Sequence, residues 1–505
     1  MSDMKRREFI TLLGGAGVAA HQNKHRPREV NHQRSISRRD FGKRLAGGAA
    51  LLALQPAWNY PATGQSLRND LKDISGELSF DDAVLQAAAD DFGRVVHKKP
   101  AAVLRPSDAQ DIAKLVQFAN RQGVKIAMRG QGHSFFGQTQ VADGVVIDSS
   151  SLNAVRIVKS GAAGTAEIGA GSKWHPVLMA ANAQKLTVPV ITDTFLSVGG
   201  TISTGGFGVT TYNLGLQVDH VQELETVTGD GQIVTCSDER NSDLFNAMLG
   251  GLGQCGIITK VVMRLMDAPT NVLFIKMDYD DFQSASADLA LLAKDGRFHH
   301  LDGRGAVRPT GGVGYYVEGG AFYDAPNDPD EAKLTAGLKF AKKTATVMTY
   351  EQYFRREEVC TACATPLQKP FVYLCIPASR YVEYTSGILS SPTEAAFLVP
   401  RMSAWRRNAI KRPLTRMPDE EIIYRFQLSR VLPAGTDTAS MIALNRTLYE
   451  RARDIGGYRM TSSAVAMSQD DWKRHYGPAW QTVQAAKTKF DPKNVLTPGH
   501  GMFPG

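Results

Sequence analysis

Arg129-Gly130-Gln131-Gly132-His133-Ser134 decides how this chain is read. It follows Val124-Lys125-Ile126-Ala127-Met128, a short apolar run of strand type, so a buried strand feeds straight into a turn with glycines at alternate positions. Without a Cβ at those positions the turn can expose several backbone N–H groups, which together can cradle a diphosphate. A histidine in the same turn stands beside whatever the diphosphate carries. Alone, the loop equally fits a surface turn with an incidental histidine. A second stretch shifts the balance: Ser197-Val198-Gly199-Gly200-Thr201-Ile202-Ser203-Thr204-Gly205-Gly206-Phe207-Gly208. Small residues and hydroxyls over this length allow close backbone approach to a large, phosphate-bearing ligand.

Upstream, Lys98 to Arg105 reads as a strand ended by Pro106, and Ser107-Asp108-Ala109-Gln110 as a capping box. Ile112, Leu115, Val116 and Ala119 then make one apolar helical face, closed by Gly123. Downstream come strands at 145–148 and 166–168, a helix over 174–184 and an extended piece at 187–190. Alternation continues to about Met266, and Ala268-Pro269 marks a boundary. From 270 to 480 the texture changes, with longer helical patterns at 285–293 and 438–453. The tail is rich in Pro and Gly. The expected fold class is α+β, with a cofactor domain over 66–269, a substrate domain over 270–480, and a segment at 481–505.

Two other glycine runs mislead. Gly15-Ala16-Gly17-Val18-Ala19-Ala20 has no strand before it, and Gly251-Leu252-Gly253-Gln254-Cys255-Gly256 runs from helix to strand, the reverse of a dinucleotide fingerprint.

The chain of 505 residues carries a net charge of +8, which raises the question of a nucleic-acid partner. Its distribution excludes one: residues 1–45 hold eleven basic and four acidic side chains, leaving the body near neutral. The basic part is a leader over 1–65. Ser37-Arg38-Arg39-Asp40-Phe41-Gly42-Lys43 precedes an apolar stretch from Leu45 to Leu54, and resembles a twin-arginine signal. Lys5-Arg6-Arg7-Glu8-Phe9, followed by Ile10 to Ala20, repeats the pattern, so two candidate signals stand in series. The alternative is a basic disordered arm. At about ten residues the apolar run is too short for an ordinary membrane span. Export to the periplasm or outside the cell is the expectation.

Taken together, the ordered motifs resemble the flavin-dependent oxidases of the vanillyl-alcohol-oxidase superfamily, with the PCMH-type FAD-binding domain, and most closely its cytokinin dehydrogenase branch. The matching runs are 130–134, Thr192-Asp193 before Ser197 to Thr201, Val227 to Gly231, Thr235 to Ser237, Asn241 to Phe245, Leu249 to Thr259, and Phe490 to Gly499. They cover about residues 95–266 and 487–503; the substrate region matches only faintly.

The resemblance implies FAD, bonded through its 8α-methyl carbon to His133. It implies cofactor contacts from Arg129, Gly130, Gln131, Gly132, Ser134 and Gln138, then from Asp193, Thr194, Ser197, Val198, Gly199, Gly200, Thr201, Ser203 and Thr204. It implies further cofactor contacts from Gly256, Ile257 and Ile258, the last on the strand near the adenine side, and His500 stands where these relatives usually show glutamine. Asp193 falls where the family places the carboxylate facing the substrate, and Asp302 where it carries a second acidic residue. Oxidising a C–N or C–O bond needs a base for the N–H or O–H proton while hydride leaves carbon, and a partly desolvated carboxylate suits that task. As a plain turn residue, Asp193 would have no such role. No cysteine lies within 190–210, so a single covalent bond is expected rather than the bicovalent link of the berberine-bridge type.

Cys360-Thr361-Ala362-Cys363, without a second pair, reads as a local disulfide or two buried thiols rather than a metal site. No metal is expected. Cys236, Cys255 and Cys375 read as core residues, and Trp405 and Tyr424 as core aromatics or the lining of a substrate slot. The expected activity is oxidation of an amine or alcohol, with electrons passed to oxygen, a quinone or another acceptor. The rivals are a sugar or aldonolactone oxidase of the same superfamily and a secreted protein that binds flavin or another ligand without turnover.

Overall fold

The computed structural model describes residues 64–503 apart from 162, 309–311 and 359. Both candidate signals lie outside the described residues. The described residues pack as one unit built on three sheets.

The first sheet holds β1 (Glu77–Ser79), β2 (Ala102–Arg105), β3 (Ile126–Arg129) and β4 (Val145–Asp148) in the order β1-β2-β4-β3. β2, β4 and β3 run parallel, which requires a crossover between them. The helix Ala109–Gln122 supplies it, burying Ile112, Leu115, Val116 and Ala119, and ends at Gly123 with φ 70°. Its cap differs from the expected box. Asp108 is the N-cap, accepting from the N–H groups of Gln110 and Asp111. Ser107 instead donates its backbone N–H to the Asp111 carboxylate, which also takes those of Ser75 and Gly76.

In the second sheet are β5 (Val155–Ser160), β6 (Ala163–Gly169), β7 (Leu186–Thr187), β8 (Val221–Thr228), β9 (Ile233–Ser237) and β10 (Gly256–Asp267). The order is β5-β6-β10-β8-β9, with β7 also on β10. Every pairing is antiparallel.

The third sheet comprises β11 (Asn271–Tyr279), β12 (His300–Val307), β13 (Val313–Tyr323), β14 (Lys342–Thr349), β15 (Val372–Pro377), β16 (Leu398–Arg406), β17 (Ile422–Arg430) and β18 (Tyr458–Arg459), ordered β14-β11-β13-β12-β16-β17-β15-β18. One face packs on the helices Phe282–Asp295 and Ala378–Ser390. There Tyr424 donates to the Ser286 carbonyl and stacks on Tyr381 with ring centroids 3.8 Å apart. Side chains alternate along each strand, so neighbouring residues meet the opposite face.

The tail returns to the first sheet. Ile126 donates to the Val495 carbonyl and Thr497 donates back to the Ile126 carbonyl, both at 2.8 Å. Asp491, fully buried, anchors this return: it pairs with Lys487 at 2.6 Å and accepts from the N–H groups of Val495 and Leu496. The architecture is α+β, with the parallel and antiparallel sheets meeting where the glycine-rich loops run. Among the described residues no helix is long and apolar enough to cross a membrane.

Candidate active site

The strand β3 delivers residues 130–134 to the wall of a cavity of about 1240 Å³, counted with its open mouth. Two contacts fix the loop's residue types. A Cβ on Gly130 would lie 1.9 Å from the Ser197 hydroxyl, so the first glycine lets the two loops touch. Gly132 has φ +62°, and its missing Cβ leaves room for the Arg129 guanidinium 2.5 Å away. The backbone N–H groups of Gln131, Gly132, His133 and Ser134 donate to no atom of the described residues. Four free donors on one turn form an anion cradle.

Asp91, absent from the sequence-based expectation, braces that turn from behind. Its buried carboxylate accepts from the Ser134 hydroxyl (2.8 Å) and from the N–H groups of Gly137 (2.7 Å) and Arg94 (3.1 Å). Burial pushes its pKa up to about 6, against the pull of these hydrogen bonds. Nothing local in Asp90-Asp91-Phe92-Gly93 distinguishes it from an ordinary turn acid.

His133 stands in an aromatic box. Phe92 stacks on it with centroids 4.0 Å apart, and Phe195 meets it edge-on at 5.3 Å. Burial, helped by the nearby Lys369 cation, lowers its pKa to about 4, so the imidazole is neutral with a free lone pair. Cys360 and Cys363 form a disulfide. Their sulfurs and a ring nitrogen of His133 all lie within 4.8 Å of one another. A disulfide presents no thiolate, so this group is not a metal site in its oxidised form. Cys236, Cys255 and Cys375 are buried and unpaired.

Most of the expected residues share the cavity wall: Gly130 to Ser134 and Gln138 from the first loop, Asp193, Ser197, Gly199, Gly200, Thr201, Ser203 and Thr204 from the second, and Ile258 and His500. Asp193 is half-buried there, and no described residue donates a hydrogen bond to its carboxylate. His500 has a buried Nδ1 without a partner, and burial lowers its pKa to about 3.

Six expected residues stand off the wall, each for a physical reason. Arg129 spends its guanidinium on the Asp90 carbonyl beneath the loop. Thr194 hands its N–H to the Glu357 carbonyl, and Val198 is core. Gly256 pairs with Thr228 in the ladder, and Ile257 packs in the core beneath the crossover helix. Asp302 is the substantive correction. Its carboxylate lies 3.0 Å from Arg401, 3.2 Å from Arg304 and 3.6 Å from Arg425, and accepts from Ser403 at 2.8 Å. Burial alone would raise its pKa, but these arginines hold it well below the usual carboxylate range. It is an ion-pair hub rather than a proton acceptor.

Wall residues that were missed include Phe207, Leu252, Tyr373, Ser462 and Thr497. Tyr373 and Ser462 arrive from the third sheet and the loop after β18, with no local signal. Trp405 and Tyr424 are both core, although Trp405 lies 5.9 Å from the Phe207 ring.

The fold is shared with solved flavoproteins. The 6-hydroxy-D-nicotine oxidase of Arthrobacter nicotinovorans superposes with a TM-score of 0.67 at 21% identity, covering 84% of this chain and 96% of that one. A VAO-type flavoprotein of Myceliophthora thermophila C1 gives 0.67 at 18% identity, covering 87% and 88%. Residues 100–237 match the family described as FAD binding domain. Residues 306–503 match the one described as cytokinin dehydrogenase 1, FAD and cytokinin binding. The family matches thus define an FAD-linked oxidoreductase, built on the fold of VAO-type flavoproteins.

Its relatives narrow the class. Cytokinin dehydrogenase 10 of Oryza sativa subsp. japonica is 31% identical over 494 residues, covering 86% of this chain and 89% of its own. An uncharacterized oxidoreductase, ORF5 in the fasciation locus of Rhodococcoides fascians, is 34% identical over 440 residues, covering 85% and 99%. The chain belongs to the cytokinin dehydrogenase family. Its residues fit FAD: the four free N–H groups suit a diphosphate, and the unpartnered His500 Nδ1 awaits a polar neighbour.

Proposed function

We propose that this protein oxidises an amine or alcohol, using Asp193 as the base and His133 as the covalent anchor of FAD. The cofactor, when bound, accepts the hydride released from the substrate carbon. Asp193 carries the reading: among the described residues it is the one acidic side chain on the wall, and none of them donates a hydrogen bond to it. It can therefore take the proton from substrate nitrogen or oxygen as C–N or C–O oxidation proceeds.

His133 supports the anchoring role because its lone pair is free and the aromatic box holds its ring in place. Phe92, Phe135 and Phe195 pack around its ring. The test is Asp193→Asn, mixed anaerobically with amine and alcohol donors. Flavin absorbance should bleach at least about a hundredfold more slowly than in the parent, with flavin content unchanged. Equal bleaching rates would remove Asp193 from the reaction. The paired Arg38-Arg39 supports export by the twin-arginine route, with the cofactor already in place.

A further inference from the structure

The third sheet turns a charged face toward the cavity. Strand register pairs Arg304 with Arg401, Ser403 with Arg425, and Tyr373 with Gln427. Alternation then puts Asp302, Arg304, Arg401, Ser403, Arg425 and Tyr373 on one side of the sheet. That side overlooks the cavity, because Tyr373 lines it and the Arg425 guanidinium sits 4.7 Å from the ring centre of Phe207, which lines it too.

Unpaired donors outnumber unpaired acceptors on this face, where Oε2 of Glu318 also lacks a hydrogen-bond partner. Asp302 is shared among Arg304, Arg401 and Arg425, and Glu318 lies 3.2 Å from Arg304 and 3.7 Å from Arg356. Two carboxylates thus meet four guanidinium groups within ion-pair distance. Asp193 and Glu357 act on Arg401 and Arg304 from further away. Left over, buried and without acceptors, are Nε of Arg401, Nε of Arg425 and Nη1 of Arg356. Arg401 is not itself on the cavity wall, but 27% of its side chain is exposed. A donor ending in bare hydrocarbon would leave these N–H groups unsatisfied, whereas a planar or tetrahedral oxyanion matches the guanidinium fork.

We infer that the electron donor bears an anionic group, a carboxylate or a phosphate, which Arg401 receives with Arg356 and Arg425 beside it while the reacting N–H or O–H faces Asp193. This rests on the donor-oxidation reading above. It makes Arg401 a specificity residue, and separates the two charges so that the anion does not crowd the base.

The experiment uses holoenzyme and matched pairs: an N6-alkyladenosine against its 5′-monophosphate, and n-hexylamine against 6-aminohexanoate. Anaerobic bleaching gives KM and the limiting rate, and calorimetry with adenosine and adenosine 5′-monophosphate gives binding without turnover. The anionic member of at least one pair should show KM lower by about tenfold or more, and which pair does so distinguishes phosphate from carboxylate. Arg401→Gln should abolish the preference chiefly through KM, and Arg401→Lys should restore part of it. Neutral members reacting as well as anionic ones in both pairs would overturn the inference. If no donor bleaches the flavin, the oxidation reading fails instead, and calorimetry decides this inference: equal affinity for the two adenosines overturns it, and tighter binding of the monophosphate upholds it.

Discussion

Gly130 and Ser197 meet at the point where the two cofactor loops close, with no room for even a methyl group: a Cβ on Gly130 would stand 1.9 Å from the Ser197 Oγ. Gly130→Ala should therefore spread the loops and yield protein with little or no bound FAD. The double variant Gly130→Ala/Ser197→Gly removes the clash and should recover cofactor, measured as the ratio of flavin to protein absorbance.

His133 has a pKa near 4, displaced from 6.5 by burial first and by Lys369 second. Covalent incorporation of added FAD into cofactor-free protein should be flat from about pH 5.5 upward and fall as pH drops through about 4, where the lone pair is lost. The readout is flavin retained in the acid-precipitated pellet. His133→Ala should bind FAD that acid releases in full.

The two carboxylates predict opposite failures. Asp193→Asn should remove turnover and leave the melting temperature within a few degrees of the parent. Asp302→Asn strips the shared partner from Arg304, Arg401 and Arg425, and should destabilise the fold by about 3–5 kcal/mol. Denaturant unfolding of both variants checks this.

Asp91 makes stability depend on pH. Its folded pKa of about 6 is above the ordinary 3.8, so the folded state binds its proton more tightly than the unfolded state does. The stabilising contribution is present at low pH and is lost as pH rises from about 4 through 6, amounting to about 1 kcal/mol between pH 5 and 7. Asp91→Asn should flatten that part of the profile in urea titrations of cofactor-free protein. Asp91→Ala should also loosen the 130–137 turn and weaken FAD binding.

Local pattern carried the cradle, the crossover helix with its Gly123 terminus, and the strand that aims His133. Each is written in a dozen consecutive residues, where periodicity and glycine placement speak directly. The role of Asp302 was not legible, because the groups that fix it, Arg401, Ser403 and Arg425, lie about a hundred residues away and meet it only through strand register. Tyr373 and Asp91 were missed on similar grounds: their positions depend on packing between distant segments. The Ser107 box was misread because Asp111 had a stronger use, gathering three backbone N–H groups.

The tail that zips onto β3 has a temporal consequence. Thr497 and His500, both on the cavity wall, are made some 360 residues after the 130–134 turn that lines the same cavity. Until that stretch is synthesised, the pocket lacks a side, so a nascent chain has no finished receptacle to fill. Flavin loading should therefore wait for that stretch, and a chain cut before Thr497 should be colourless.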